Sequence, residues 1–113
     1  MSEPKDFAAR VGDGCIWTVG GVSAIAGEYR GRDAVLAFFR RLHELTDGTY
    51  SVEPLWELDD GTRGVSYYRA RGARPDGRKI DLDQAVVYEL DEGRWSAVRA
   101  LPFDQGVFDA FWA

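Results

Sequence analysis

Tyr67-Tyr68-Arg69-Ala70-Arg71-Gly72-Ala73-Arg74-Pro75-Asp76-Gly77-Arg78-Lys79-Ile80-Asp81-Leu82-Asp83-Gln84 is the stretch that decides the fold. Its centre, Arg74 to Arg78, reads as a three-residue hairpin loop: a type I turn followed by glycine at the left-handed position. Closing the loop at Arg74 and Arg78 pairs Tyr68 with Gln84 and Ser66 with Val86. The same register sets Arg71 opposite Asp81 and Arg69 opposite Asp83. Opposite charges meet on one face, and the aromatic and apolar residues collect on the other.

Working outward, Leu58-Asp59-Asp60-Gly61-Thr62 reads as a second loop of this kind. Closed at Leu58 and Thr62, it pairs Trp56 with Gly64, Val52 with Tyr68 and Tyr50 with Ala70, and sets Glu57 opposite Arg63. Asp91-Glu92-Gly93-Arg94 reads as a tighter loop that pairs Tyr88 with Ala97 and Val86 with Arg99. The predicted inner face therefore carries Tyr50, Val52, Trp56, Tyr68, Leu82, Gln84, Val86, Tyr88, Trp95, Ala97, Arg99 and Leu101. A slip of one residue would exchange the two faces. The predicted outer face has an apolar centre, Leu55, Val65, Tyr67, Ala85, Val87 and Val98, ringed by the three charge pairs. Such a patch on an open sheet reads as an interface.

Upstream of the meander, Pro4 to Val11 reads as a short helix, stopped by Gly12 and Gly14, and Ile16 to Val19 as a short strand. Gly20 to Gly31 reads as a loop carrying Ile25 and Tyr29. Asp33 is a plausible N-cap for a helix from Ala34 to about Leu45, with Val35, Phe38, Phe39, Leu42 and Leu45 on one stripe. Thr46-Asp47-Gly48 ends it. Asp104 to Trp112 is a short tail with aromatics at Phe108, Phe111 and Trp112. The expected class is α+β: a four-strand meander and a short N-terminal strand in one curved antiparallel sheet, with helices covering its apolar concave face.

The 113 residues, 45% hydrophobic and 13% aromatic, suit one domain, 1–113, with a real core. A formal net charge of −5 leaves no basic stripe, so a nucleic-acid partner is not expected. No apolar run approaches the roughly 20 residues needed to span a bilayer, and Met1 to Arg10 lacks the apolar segment of a signal peptide. A cytoplasmic location without membrane attachment is the expectation. With one cysteine, Cys15, and one histidine, His43, no internal disulfide and no Cys/His metal cluster can form. Cys15 reads as a buried thiol or a nucleophile.

Cys15-Ile16-Trp17, the run Ala26-Gly27-Glu28-Tyr29-Arg30-Gly31-Arg32-Asp33-Ala34-Val35-Leu36-Ala37-Phe38-Phe39, the Asp91 to Arg94 turn, and Asp104-Gln105 with Asp109-Ala110-Phe111-Trp112 resemble SnoaL-like proteins of the nuclear transport factor 2-like superfamily. The resemblance runs from about Phe7 to the end and implies a cone-shaped α+β fold around a pocket. The superfamily includes ketosteroid isomerases, polyketide cyclases, epoxide hydrolases and dehydratases, so the fold implies a pocket more than one reaction. Family members begin with a long helix before the segment matching Phe7 to Trp17. Only Met1 to Asp6 precede it here, so most of that helix is expected to be missing.

Arg99 is the foremost site candidate, because a guanidinium on an apolar face needs a carboxylate or a ligand anion. Either it pairs with Asp104 or Glu28, or it contacts a ligand. By resemblance Asp104 matches an acidic position near the pocket mouth, where it would act as acid/base; otherwise it caps a turn. Tyr68, Tyr88 and Tyr50, with Gln84, would polarise a carbonyl or merely satisfy one another in the core. Trp17, Trp56 and Trp95 are expected as walls. His43 is either a proton shuttle or a packing residue.

The resulting expectation is cofactor-free acid/base chemistry on an apolar oxygenated substrate, polyketide- or steroid-like, with Asp104, Arg99 and Tyr68 as the catalytic residues. The alternatives are a protein that only binds or sequesters a small hydrophobic molecule, and a dimeric module whose cone is filled. A homodimer through the outer sheet face is expected.

Overall fold

The computed structural model describes residues 8–113. Most of the helix expected over Pro4 to Val11 lies outside them; residues 8–10 are helical and Val11 already opens a strand. The elements are β1 (Val11–Val19), β2 (Gly27–Arg30), α1 (Arg32–Leu45), β3 (Ser51–Asp59), β4 (Arg63–Ala73), β5 (Lys79–Asp91), β6 (Arg94–Pro102) and α2 (Gln105–Trp112). The strands form one sheet in the order β2-β1-β6-β5-β4-β3. β1 runs parallel to β6, and the other neighbours are antiparallel. The α+β class with a curved, mostly antiparallel sheet is as expected.

Two elements were not anticipated. Gly27 to Arg30 hydrogen-bonds to β1 as an edge strand rather than a loop. The aromatic tail is a helix, α2, whose Phe108, Phe111 and Trp112 are buried. In α1 the stripe Val35, Phe38 and Leu42 is buried as its spacing predicts. Asp33 is not its cap: Gly31, at φ +90°, stands at the N-cap and Asp33 lies in the first turn. There its charge complements the helix dipole. At the other end the buried Thr46 hydroxyl donates to Leu42 O at 2.8 Å and accepts from Tyr50 N–H at 3.1 Å, which ties the helix end to the chain entering β3.

The core lies between the inner face of the sheet and the two helices. Trp95, Trp112, Tyr88, Ile25, Val11 and Val35 are its largest fully buried side chains.

The β4–β5 register is the expected one: Tyr68 faces Gln84, Ser66 faces Val86, Arg69 faces Asp83 and Arg71 faces Asp81. The flanking registers differ. β5 and β6 start from the predicted tight turn, with Asp91 opposite Arg94, but a bulge between Glu89 and Leu90 shifts the rest by one residue. Val86 therefore faces Ala100, and Arg99 faces Val87 on the outer side. Arg99 is exposed, while Val98, expected outside, is buried.

The β3–β4 turn also closes later than predicted, with Asp60 N–H donating to Arg63 O at 3.1 Å. The Asp60 carboxylate pulls it there by accepting from the N–H groups of Thr62 and Arg63. A bulge between Pro54 and Trp56 shifts the pairing again. Val52 keeps its inner position opposite Ala70, whereas Trp56 turns out opposite Tyr67 and Glu57 turns in opposite Ser66. In β6 the bulge alone changes the face of the side chains beyond it; in β3 the later turn closure turns Trp56 and Glu57 over, and the bulge returns Val52 to the inner face.

Candidate functional site

A cavity of about 400 Å³ opens between the inner sheet face and the helices. Its apolar wall comes from β1 (Trp17, Val19), α1 (Phe38, Phe39, Leu42), Val86 and Ala100 of the sheet, Ile25, and Phe108 and Trp112 of α2. Trp17 is held edge-on to Phe39 with ring centroids 4.9 Å apart, a packing that fixes its indole as part of the wall.

One corner is polar and neutral. Gln84, 2% exposed, donates through Nε2 to the Tyr68 hydroxyl at 3.1 Å, while its Oε1 is buried with no hydrogen-bond partner. Burial pushes the Tyr68 pKa up to about 12, against a smaller lowering by Gln84, so its O–H stays a donor. Tyr50 lines the same cavity, and burial, reinforced by nearby Tyr68, raises its pKa well above the usual value. The His43 and Trp112 rings stand edge-on to Tyr50, at 6.1 and 5.5 Å.

Another part of the wall is charged. Arg10 and Glu57 both line the cavity. Arg10 Nη1 donates to Glu57 Oε1 at 3.1 Å, Nη2 donates to Oε2, and the Tyr88 hydroxyl also donates to Oε2. The guanidinium lies over the Trp95 ring, 4.3 Å from its centroid. Burial pushes the Glu57 carboxyl up, but the hydrogen bonds from Arg10 and Tyr88 outweigh it and hold the pKa below the usual value. Tyr88 is pushed up to about 12 by burial and then by Glu57.

Of the residues expected at the site, Trp17, Tyr50, Tyr68, Gln84 and His43 line the cavity. Tyr88 is buried but turned to Glu57 and is not a lining residue. Trp56 is outside, half exposed and stacked on Tyr67 at 5.2 Å. Arg99 is also outside, so it meets neither Asp104 nor Glu28 across the hollow. Asp104 is exposed and caps α2, its carboxylate accepting from Val107 N–H at 3.0 Å. The expected trio of Asp104, Arg99 and Tyr68 is therefore not assembled in one place.

Glu57 and Arg10 were missed. A strand reading without the bulge puts Glu57 outside, and Arg10 lies in the segment before the sheet. Pro54 was the available signal for Glu57, since proline within a strand marks an edge or a bulge. Cys15 is buried and its thiol pushed up by that burial, as for an inert thiol. No group of His, Cys, Asp and Glu among the described residues could hold a metal ion. No helix among them is long and apolar enough to cross a membrane.

A sequence model of the SnoaL-like domain matches residues 3–98. An uncharacterized protein of Mycobacterium tuberculosis strain H37Rv is 31% identical over 97 residues, covering 84% of this chain and 72% of that one. Among solved structures, Bal32a from a soil-derived mobile gene cassette superposes with a TM-score of 0.89 at 30% identity, covering 96% of this chain and 83% of that one. TerC, co-crystallized with polyporic acid, superposes with a TM-score of 0.79 at 15% identity, covering 96% and 85%. At that identity TerC speaks to the fold alone.

Proposed function

The chain belongs to the SnoaL-like family of the nuclear transport factor 2-like superfamily, and from that premise we propose that its cavity takes up a small apolar molecule carrying oxygen. The observation that carries this reading is the cavity itself. Its volume of about 400 Å³ and its aromatic wall broken by one polar corner match the general make-up of small-molecule sites. A filled cone, the third expectation, would leave no such hollow. TerC, a protein of the same fold, was co-crystallized with polyporic acid, in keeping with a cone that encloses a small molecule.

Calorimetric titration with 1-tetralone, a compact aromatic ketone, tests the reading. Binding is expected, together with its loss in Ala100→Phe, which fills the hollow from β6. No heat with the unaltered chain, or equal binding by the filled variant, would sink it.

A second, catalytic reading rests on Glu57 and Tyr68, which share the inner wall. Glu57 faces Ser66 of β4, and Tyr68 is two residues farther along that strand, about 7 Å. In this reading the Glu57 carboxylate takes a proton from the carbon next to a ligand carbonyl, and the Tyr68 O–H stabilises the enolate oxygen. Hydrogen–deuterium exchange at C1 of 2-tetralone, followed by NMR, measures the step without knowledge of the natural product. Acceleration by the unaltered chain, reduced about 10²-fold in Glu57→Gln, is expected. Exchange no faster than in buffer would leave binding as the function.

The outer sheet face is the proposed site for a second copy of the chain. Half-exposed Trp56 stacks on Tyr67, and Phe103 stands edge-on to the same ring at 5.2 Å. Beside them Arg69 bridges Asp81 and Asp83, and Arg71 bridges Glu53 and Asp81. A rim of both signs can meet its own two-fold image without net repulsion. Sedimentation equilibrium should find a dimer that Trp56→Arg converts to monomer; a monomeric unaltered chain would refute this.

A further inference from the structure

We propose that the cavity selects ligands whose oxygen donates a hydrogen bond as well as accepting one, a hydroxyl, phenol or enol rather than a plain ketone or ether, and that Gln84 enforces the choice. This rests on the reading of the hollow as a small-molecule site. Gln84 spends its Nε2 on the Tyr68 hydroxyl at 3.1 Å, and its Oε1 is buried without a partner. The Tyr68 oxygen accepts that bond and keeps its own O–H to give. Tyr50, also on the wall, makes no hydrogen bond through its hydroxyl among the described residues.

The corner thus offers tyrosine donors and one amide acceptor. A ketone or ether oxygen can take the Tyr68 hydrogen bond but leaves Gln84 Oε1 orphaned. A hydroxyl accepts from Tyr68 and gives its proton to Gln84, so both groups are satisfied by one oxygen or by two adjacent ones. Leaving a buried acceptor unsatisfied weakens binding by about tenfold.

Three probes of one shape separate the terms: naphthalene, 2-methoxynaphthalene and 2-naphthol, titrated calorimetrically into the full chain. The cavity of about 400 Å³ has room for the extra methyl group. The expected order is 2-naphthol tightest, about tenfold ahead of 2-methoxynaphthalene. Gln84→Met, close in volume, should bring those two within about twofold of each other. Tyr68→Phe should weaken both relative to naphthalene.

Equal affinity of the naphthol and the ether in the unaltered chain, or preference for the ether, would overturn the donor rule while naphthalene binding upheld the hollow as a site. If none of the three binds, the small-molecule reading falls and this inference with it. The naphthol-to-ether comparison in the unaltered chain decides even where Gln84→Met fails to fold by circular dichroism.

Discussion

Arg10 and Glu57, 47 positions apart in sequence, share two hydrogen bonds at the wall of the cavity, and Tyr88 adds a third to the same carboxylate. The pair ties the segment preceding β1 to β3, the edge strand at the far side of the sheet. Removing Glu57 strands a cation over the Trp95 ring and a buried tyrosine hydroxyl together. Glu57→Leu should therefore cost about 1–2 kcal/mol in urea unfolding, the partial exposure of the pair keeping the loss modest.

The acid limb of stability carries the same signature. A carboxyl whose folded pKa lies below its unfolded value stabilises above that unfolded value and loses the contribution as pH falls through the folded one. Glu57 is lowered from an ordinary value of 4.5, so its contribution is full at neutral pH and fades below about that point. Urea midpoints measured from pH 7 to pH 3 should fall less steeply for Glu57→Gln than for the unaltered chain. Parallel curves would show that the pair contributes nothing to folding.

Asp104→Ala removes the N-cap of α2 and should cost about 1 kcal/mol. Its effect on 1-tetralone affinity should be negligible, since Asp104 is not a lining residue. An acid/base role at the cavity would instead require lost exchange activity at unchanged stability.

Arg99→Met should change stability by no more than about 0.5 kcal/mol and leave ligand binding intact, because the guanidinium is exposed on the outer face. A large loss of binding in this variant would contradict the β5–β6 register described above.

Gly64→Ala tests the inner wall near Tyr88. A methyl group there would lie 2.7 Å from the Leu58 carbonyl oxygen and 2.7 Å from Tyr88 Cζ. Destabilisation of about 1–3 kcal/mol is expected in denaturant unfolding, as for other overpacked positions.

How far the sequence could be read depended on where strands stay regular. The Arg74 to Arg78 turn and the charges on either side of it define β4–β5, and there each named pair agrees with the structure. Across β6 the turn alone was insufficient, because a bulge changes the count after the turn has been passed, and across β3 the turn itself closes at Asp60 and Arg63 rather than at Leu58 and Thr62, with a bulge farther along. In β6 the irregularity falls at Ser96, between Trp95 opposite Leu90 and Ala97 opposite Glu89, so Ala97 faces outward and Val98 and Ala100 carry the inner alternation beyond it. A reading that trusted burial of Val98 over turn geometry would have turned Arg99 outward. The Glu57 site was harder to read: its partner, Arg10, belongs to a segment with no strand register to extrapolate. The aromatic tail was legible as apolar but not as a helix, since Asp104 reads as a turn residue as readily as a cap.

The two bulges leave the stretches between them and the hairpin tips dependent on tip length. Glu57 lies between the Pro54–Trp56 bulge and the Asp60 to Arg63 loop, and Trp95 between the Asp91 to Arg94 turn and the β5–β6 irregularity. One residue gained or lost at either tip turns those side chains to the other face unless the bulge moves with it. In this scaffold the length of a tip and the charge on the cavity wall are set together.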